Sequence, residues 1–227
     1  MMLTVALCAL GITLGQWQTG RALEKEKIAS ATFARASLAP VQTHELIGAS
    51  TELVFRRASL SGEFVVGWPL YLDNRPLHGV AGFYVMMPFK IAGSDRYILV
   101  ARGWQPRNPN NRTLMPSLNT PVGTINLDGV LRGSIDKVMQ LGQATPLVPG
   151  AIVQNITAQD VAQQTGLKMF GLVLEQTSVS VDGLLREWPL PSAGADKHRA
   201  YAFQWYALSL MAVIFFVVTG FRRGKNR

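Results

Sequence analysis

The feature that most constrains this chain is an uninterrupted apolar segment near its C-terminus. No charged residue occurs between Arg199 and Arg222, and most positions between them are Leu, Met, Val, Ile, Phe or Ala. As a helix, this segment would extend about 33 Å, which is enough to cross the roughly 30 Å hydrocarbon core of a bilayer. We therefore predict a transmembrane helix over residues 196–221, followed by a basic cytoplasmic tail, residues 222–227.

A second uncharged segment, residues 1–20, begins the chain and ends close to Trp17, an aromatic residue of the kind found at membrane surfaces. It predicts a first transmembrane helix, and residues 21–35 predict its helical extension. A cleaved signal peptide is the alternative. Such peptides have a basic start and a small-residue cleavage site, whereas here no basic residue precedes the apolar run and Trp17 lies between two glutamines.

Positive charge is concentrated beside the two predicted spans. The formal net charge is +8, but residues 22–195 contribute only +2 of it. Four basic residues within 222–227 directly follow the second span, and such clusters stay cytoplasmic. We therefore expect both termini in the cytoplasm, contact of the basic ends with the lipid bilayer, and no nucleic-acid partner.

Residues 36–195 are predicted to form an extracytoplasmic β-rich domain. Segments rich in β-branched and aromatic residues are separated by turn residues, which predicts a mainly antiparallel sheet or small barrel. The predicted strands are 53–64, 69–73, 81–91, 97–102, 124–132, 151–156 and 171–179. One short helix is predicted after Thr157, with Asp160 completing a capping box and Gly166 ending the helix. The expected fold is thus a membrane protein with two transmembrane α-helices flanking an α+β, barrel-like domain.

The sequence carries no recognisable catalytic or metal-binding motif. It lacks an HExxH pair, a glycine-rich phosphate loop and a GxSxG elbow. His44, His78 and His198 lie in different predicted elements, and the single cysteine, Cys8, can form neither an intrachain disulfide nor a cysteine-based metal site. We therefore expect a protein that is not an enzyme.

The start of the second span carries the candidate binding site. His198, Tyr201 and Trp205 follow one another at i, i+3 and i+7, so a helix would present them on one face. A neutral imidazole there could ligate haem iron while aromatic rings cover the macrocycle. The alternative is a headgroup anchor with aromatic belt residues, and the pattern alone favours that alternative.

Three other motifs have mainly structural interpretations. Arg102-Gly103-Trp104 is expected to end a strand at a tight turn. Asp182-Gly183 is expected in a turn, and residues 186–188 are expected to face the membrane. Asn74-Arg75-Pro76 also predicts a turn, after which an exposed Arg75 could pair with a carboxylate or a haem propionate.

Several of these motifs occur in an order that carries a resemblance. In the N-terminal half they are Leu14-Gly15-Gln16-Trp17-Gln18 with Arg21 and Lys25, Gly62-Glu63-Phe64, Asn74-Arg75, and Gly79 with Gly82-Phe83-Tyr84-Val85. In the C-terminal half they are Leu99-Val100-Ala101-Arg102-Gly103-Trp104-Gln105-Pro106, Asp182-Gly183-Leu184 with Arg186 and Trp188, and His198 with Tyr201-Ala202 and Gln204-Trp205. Together they resemble the surfeit locus protein 1 family of cytochrome c oxidase assembly factors, in its proteobacterial form. Ala101 and Gln105 depart from the central motif, where Asn and Val are common.

The resemblance implies an assembly factor of the bacterial inner membrane that helps deliver haem a to, or insert it into, the oxidase catalytic subunit, with a periplasmic central domain. For this chain it implies transient ligation of haem a iron by His198, with Tyr201, Trp205 and Trp17 around the ring. The expected partners are the haem a-containing oxidase subunit and haem a synthase. A cofactor-free membrane scaffold that stabilises an assembly intermediate is the alternative.

Overall fold

The computed structural model describes residues 2–47, 53–111, 114–115, 117–140, 145–189 and 194–225 of the 227-residue chain. The chain divides into two compact units. We call the described parts of Met1–Thr32 and Pro189–Arg227 the helix pair, and those of Phe33–Trp188 the β domain.

The described residues contain four helices and eight strands. The helices are α1 (Met2–Ala36), α2 (Thr43–Ile47), α3 (Ala158–Thr165) and α4 (Ala195–Lys225). The strands are β1 (Val41–Gln42), β2 (Arg57–Phe64), β3 (Leu70–Leu72), β4 (Gly82–Ile91), β5 (Arg96–Pro106), β6 (Ile125–Arg132), β7 (Ile152–Val153) and β8 (Lys168–Gln176).

The helix pair consists of α4 and most of α1. Of the helices in the described part of the chain, α4 alone is long and apolar enough to cross a membrane, over Ala195–Phe221. Only 11% of its most apolar stretch is buried, whereas the core helix of a soluble protein is mostly buried. α1 runs without interruption through residues predicted to form the first span and its extension. Insertion of residues 1–20 into a membrane stays a prediction.

The β domain is built around a closed five-stranded sheet. Its strands follow the order β2, β6, β8, β5 and β4, and β4 pairs back onto β2. The β5–β8 pairing is parallel and the other four are antiparallel. The prediction of a mainly antiparallel, barrel-like domain is confirmed. The parallel pair was not predicted, and it is possible because the long connection from β5 to β8 contains β6, β7 and α3.

Large apolar side chains fill the barrel. Each closed strand contributes alternate residues, as the two-residue period of a strand requires. Leu60, Phe89, Val100, Leu131 and Leu174 come from five different strands and are all fully buried in one cluster. Burying one such side chain stabilises a fold by about 1.5–3 kcal/mol, so this cluster contributes strongly to the stability of the domain.

Strands β4 and β5 are buried on both faces. Their outer faces belong to a second cluster that includes Met86, Leu99 and, from α3, Val161. A strand covered on both sides needs apolar residues at successive positions rather than at alternate ones. This explains the nearly continuous apolar sequence of both strands.

Two glycines let the barrel close. A Cβ atom on Gly62 of β2 would overlap the carbonyl oxygen of Lys90 in β4, and one on Gly129 of β6 would overlap that of Glu175 in β8. Any side chain at either position would force the paired strands apart.

The predicted secondary structure of the β domain is largely confirmed. All seven predicted strands are present with shifted ends. The capping box is also present, because the Thr157 hydroxyl accepts from the Asp160 backbone N–H and the Asp160 carboxylate accepts from that of Thr157. Gly166 ends α3 with a φ of 72°. These signals are local, which is why sequence alone located them.

The prediction that Arg102-Gly103-Trp104 ends a strand is wrong, because β5 continues through all three residues. A Cβ on Gly103 would lie only 2.7 Å from that of Leu184. The glycine therefore makes room for a neighbouring segment, not for a turn. That segment pairs with β5 through two hydrogen bonds between Trp104 and Leu185, of 2.7 and 2.9 Å.

Candidate functional site

The two long helices of the helix pair contact each other through small residues. The buried residues in the described part of the pair are Gly11, Gly15, Ala22, Ala202 and Ser209. A Cβ on Gly11 would overlap the Ser209 hydroxyl oxygen, and one on Gly15 would overlap the ring of Tyr206. Small residues at such an interface let helix backbones approach closely, a packing mode typical of membrane helices.

The least exposed positions repeat at intervals of three and four residues. On α1 they include residues 8, 11, 15, 18 and 22, and on α4 residues 198, 202, 205 and 209. This spacing is typical of two helices whose side chains interlock along one line. We call this line of contact the seam; it includes Gln18, His198 and Trp205.

His198 is held across the seam by Gln18. The His198 Nδ1 atom lies 2.7 Å from Gln18 Oε1, although 180 residues separate the two in sequence. An amide oxygen can only accept a hydrogen bond, so Nδ1 carries the proton and donates it. In the neutral ring, the free lone pair then belongs to Nε2.

Two further contacts lie near this hydrogen bond. Arg199 pairs with Glu26 at 2.7 Å, with the arginine side chain 63% exposed. The hydroxyl groups of Thr19 and Tyr206 lie 3.3 Å apart. An exposed ion pair contributes at most about 1 kcal/mol to stability. These contacts therefore mainly fix the register of α4 against α1 around His198.

The aromatic residues of the predicted site differ in exposure. Trp205 lies on the seam and is partly buried, whereas Tyr201 and Trp17 are 53% and 57% exposed. The predicted stripe of His198, Tyr201 and Trp205 is therefore divided between the seam and the exposed surface. The roles of these three aromatic residues around a ligand stay predictions.

In the helix pair, the atom that we consider for binding a metal is one imidazole nitrogen, Nε2 of His198. In the described residues, Gln18 is the one hydrogen-bond partner of the His198 ring, and it occupies Nδ1. Among the residues that the structure describes, no group of three or more His, Cys, Asp or Glu side chains is arranged to hold a metal ion. Haem iron, already bound by its macrocycle, can be held through one axial histidine. A half-buried imidazole whose Nδ1 atom is held by Gln18 fits that requirement.

The most buried ion pairs belong to the β domain. The Arg102 and Asp182 side chains are each 1% exposed and lie 3.1 Å apart, and Asp182 also accepts from Arg186 at 2.6 Å. Arg102 donates further hydrogen bonds of 2.8 Å to the Asn119 carbonyl and the Thr120 hydroxyl. One side chain of β5 thus holds two loops. Asp182 does lie in a turn, as predicted, but no local pattern around it indicates its burial.

A second buried pair has a shifted titration. Arg132 Nε lies 3.5 Å from Glu175 Oε1, and both side chains are 9% exposed. Burial raises the pKa of Glu175 to about 7, which the charge of Arg132 opposes and that of Asp136 reinforces. A substantial fraction of the molecules therefore carries a neutral Glu175 near neutral pH.

The prediction that Arg75 is exposed is wrong. Arg75 is only 7% exposed and donates to the carbonyl of Asp136 at 2.9 Å, so it is not free to pair with a propionate. That residues 186–188 face a membrane stays a prediction, and Trp188 is partly buried in the β domain. Its ring lies 5.0 Å from that of Tyr84 and its indole N–H donates to the Gln176 carbonyl at 2.8 Å. In both cases the partners come from distant parts of the sequence.

Comparison with known proteins extends over the helix pair and the β domain. A family model described as the SURF1 family matches residues 5–210 of the chain. A "SURF1-like protein" from Monosiga brevicollis is 24% identical over 249 residues, which cover 100% of this chain and 88% of that protein. The matched range includes Trp17, Gln18, His198, Tyr201 and Trp205.

Proposed function

The chain belongs to the SURF1 family, and on that basis we propose that it delivers haem a to the catalytic subunit of cytochrome c oxidase during assembly. Membership of the family is consistent with a role in oxidase assembly. The delivery of haem a goes further, and the observation that carries it is the His198 ring held by Gln18 with Nε2 available.

In this proposal the Nε2 atom of His198 would hold the haem iron at the outer end of the helix pair. Tyr201 and Trp17 are exposed and Trp205 is adjacent on the seam, so their rings are candidates for contact with the macrocycle. The haem a synthase is the proposed source and the oxidase subunit the proposed acceptor.

Transfer requires that the ligand leave as well as bind. One axial histidine on a partly exposed surface holds iron less tightly than two histidines in a closed pocket. The acceptor subunit then needs only a modestly higher affinity to draw the haem away. The single-imidazole donor set of the helix pair suits this requirement.

We further propose that α4 and the first part of α1 cross the bacterial inner membrane, with both termini cytoplasmic and the β domain in the periplasm. The small-residue seam and the basic cluster after α4 support this topology. In a Cys8→Ser background, Tyr201→Cys should react with a membrane-impermeant maleimide in intact spheroplasts. Reaction only after lysis would contradict the proposed orientation.

Haem binding is tested with protein purified from cells that make haem a. We expect His198→Ala to lose the absorption bands of ligated haem a, because no other group on the seam replaces Nε2. The matched control is His78→Ala, since His78 belongs to the β domain and pairs with Glu187 at 2.7 Å. Equal haem a content in the wild type and His198→Ala would overturn the assignment.

A cofactor-free scaffold is the second candidate, and one observation favours it. Gln16 on α1 and Gln204 on α4 are both exposed, outside the seam, and amide side chains on membrane helices can hydrogen-bond to neighbouring helices. A scaffold would retain the oxidase subunit in wild-type and His198→Ala preparations alike. If Gln16→Leu and Gln204→Leu together released the subunit while haem a content stayed unchanged, the scaffold role would be supported.

A further inference from the structure

We propose that Gln18 is a positioning residue for the haem site, one that fixes the proton of His198 on Nδ1 and so assigns iron ligation to Nε2. This inference rests on the proposed function, because it specifies how the same site presents its ligand. It also predicts a property of the protein that exists before any haem is bound.

The geometry that carries the inference is the 2.7 Å contact between His198 Nδ1 and Gln18 Oε1. A free neutral histidine exchanges its proton between two nitrogens, so either nitrogen can act as a ligand. Bound to an acceptor on another helix, the ring is fixed in both tautomer and orientation. Hydrogen bonds of this kind from the nonligating nitrogen orient metal-bound histidines in general.

The chemical nature of the acceptor matters as well. A carboxylate on Nδ1 raises the basicity of a ligating imidazole and strengthens its bond to the metal. A glutamine oxygen is neutral and accepts a weaker hydrogen bond. Gln18 therefore orients the ring without strengthening the ligand greatly, which suits a protein that must release its haem.

A purely structural role for the pair is the competing explanation. Hydrogen bonds between membrane helices average only about 0.6 kcal/mol, and the helix pair already has the close contacts of Gly11 and Gly15 and the Arg199–Glu26 ion pair. The loss of one hydrogen bond should therefore leave the pair associated. Loss of the hydrogen bond should instead change the tautomer and the orientation of the His198 ring.

The first experiment measures the tautomer in the haem-free protein. The full chain with His44→Gln and His78→Gln, labelled with ¹⁵N-histidine and reconstituted in lipid, has one histidine left to observe. We expect the ¹⁵N shifts of a neutral ring protonated at Nδ1, and their loss in Gln18→Met, which has a similar volume but no acceptor oxygen. A ring protonated at Nε2 in the otherwise wild-type seam would overturn the inference.

The second experiment measures haem a retention and the midpoint potential of the bound haem. We expect Gln18→Met to weaken retention by about 10- to 100-fold, the usual loss when the partner of a metal-bound histidine is removed. We expect Gln18→Glu to strengthen retention and make the potential more negative. Gln16→Met, on the exposed side of the same helix, is the control and should match the wild type.

The experiments distinguish failure of the proposed function from failure of the positioning role of Gln18. If His198→Ala loses haem a but Gln18→Met and Gln18→Glu behave as the wild type, the positioning role is wrong and the proposed function stands. If wild-type protein acquires no haem a through His198, the proposed function and this inference fall together.

Discussion

The helix pair and the β domain bury different kinds of side chain. The β domain buries large ones, such as Phe89 and Leu174, and expels water from two ion pairs. The helix pair buries only glycine, alanine and serine among its described residues, while Phe203 and Phe215 are more than 70% exposed. The arrangement of large and small residues is thus reversed between the two units.

This reversal is consistent with the proposal that the helix pair lies in a membrane and the β domain in water. In water, the burial of large apolar surface drives folding, and the β domain meets that condition. Between lipid chains, apolar burial gains nothing, so close backbone contact and interhelical hydrogen bonds hold helices together. The helix pair has both, in the glycine contacts and in the bond between Gln18 and His198.

The largest expected difference concerns aromatic residues. Phe89→Ala should destabilise the β domain by about 3–5 kcal/mol, because it leaves a cavity inside the barrel. Phe215→Ala removes an exposed ring, 71% accessible, and should change the stability of the β domain by less than about 0.5 kcal/mol. Denaturant unfolding followed by tryptophan fluorescence measures both, and equal losses would contradict the comparison.

The buried ion pairs predict an effect of similar size. Asp182→Asn removes the negative charge between Arg102 and Arg186 and should cost about 3 kcal/mol or more. The matched control is Asp95→Asn, whose pair with Lys168 is about 70% exposed and should be worth less than about 1 kcal/mol. The same unfolding measurement applies. A cost for Asp182→Asn no larger than that of the control would show that the pair is not desolvated.

The stability of the β domain should also depend on pH through Glu175. Its folded pKa of about 7 exceeds the ordinary 4.5, so the folded state binds the proton more tightly than the unfolded state. The contribution is fully present below pH 4.5 and is lost as the pH rises through 7, by at most about 3 kcal/mol. Glu175→Gln should unfold with a flatter dependence between pH 5 and 8. Identical slopes in the two proteins would contradict the shifted pKa.

A smaller effect is expected from the seam of the helix pair. Gly15→Leu places a side chain where the ring of Tyr206 lies and should cost about 1–3 kcal/mol of helix association. Cys8 donates to the Ser209 carbonyl at 3.5 Å, so disulfide formation between Cys8 and Ser209→Cys reports the pairing. Gly20→Leu, at a position with no atom within 4 Å of an added Cβ, should leave the cross-link unchanged. Equal cross-linking in Gly15→Leu and Gly20→Leu would show that α1 and α4 do not pack along this seam.

Sequence reasoning succeeded where the signal is local. The capping box of α3 involves residues three apart, and strand composition identified seven of the eight strands in the described residues. The position of α4 followed from one long uncharged run. These features depend on near neighbours in the chain, so a single sequence contains them.

It failed where partners are distant. Arg102 and Asp182 are 80 residues apart, and no spacing rule links them. The same limit applies to the candidate site, because 180 residues separate Gln18 from His198 in sequence. The expected stripe included Tyr201, whereas the partner helix selects the neighbouring line through Ala202. Which of two adjacent stripes is buried depends on the surface that covers it.

The most direct test of the central claim is chemical rescue of the iron ligand. We predict that His198→Gly purified from haem a-producing cells lacks the spectrum of histidine-ligated haem a, and that added imidazole restores it by occupying the vacated space beside Gln18. The wild-type spectrum should not change on the same addition. A His198→Gly protein with the wild-type haem a spectrum before any imidazole is added would contradict the account.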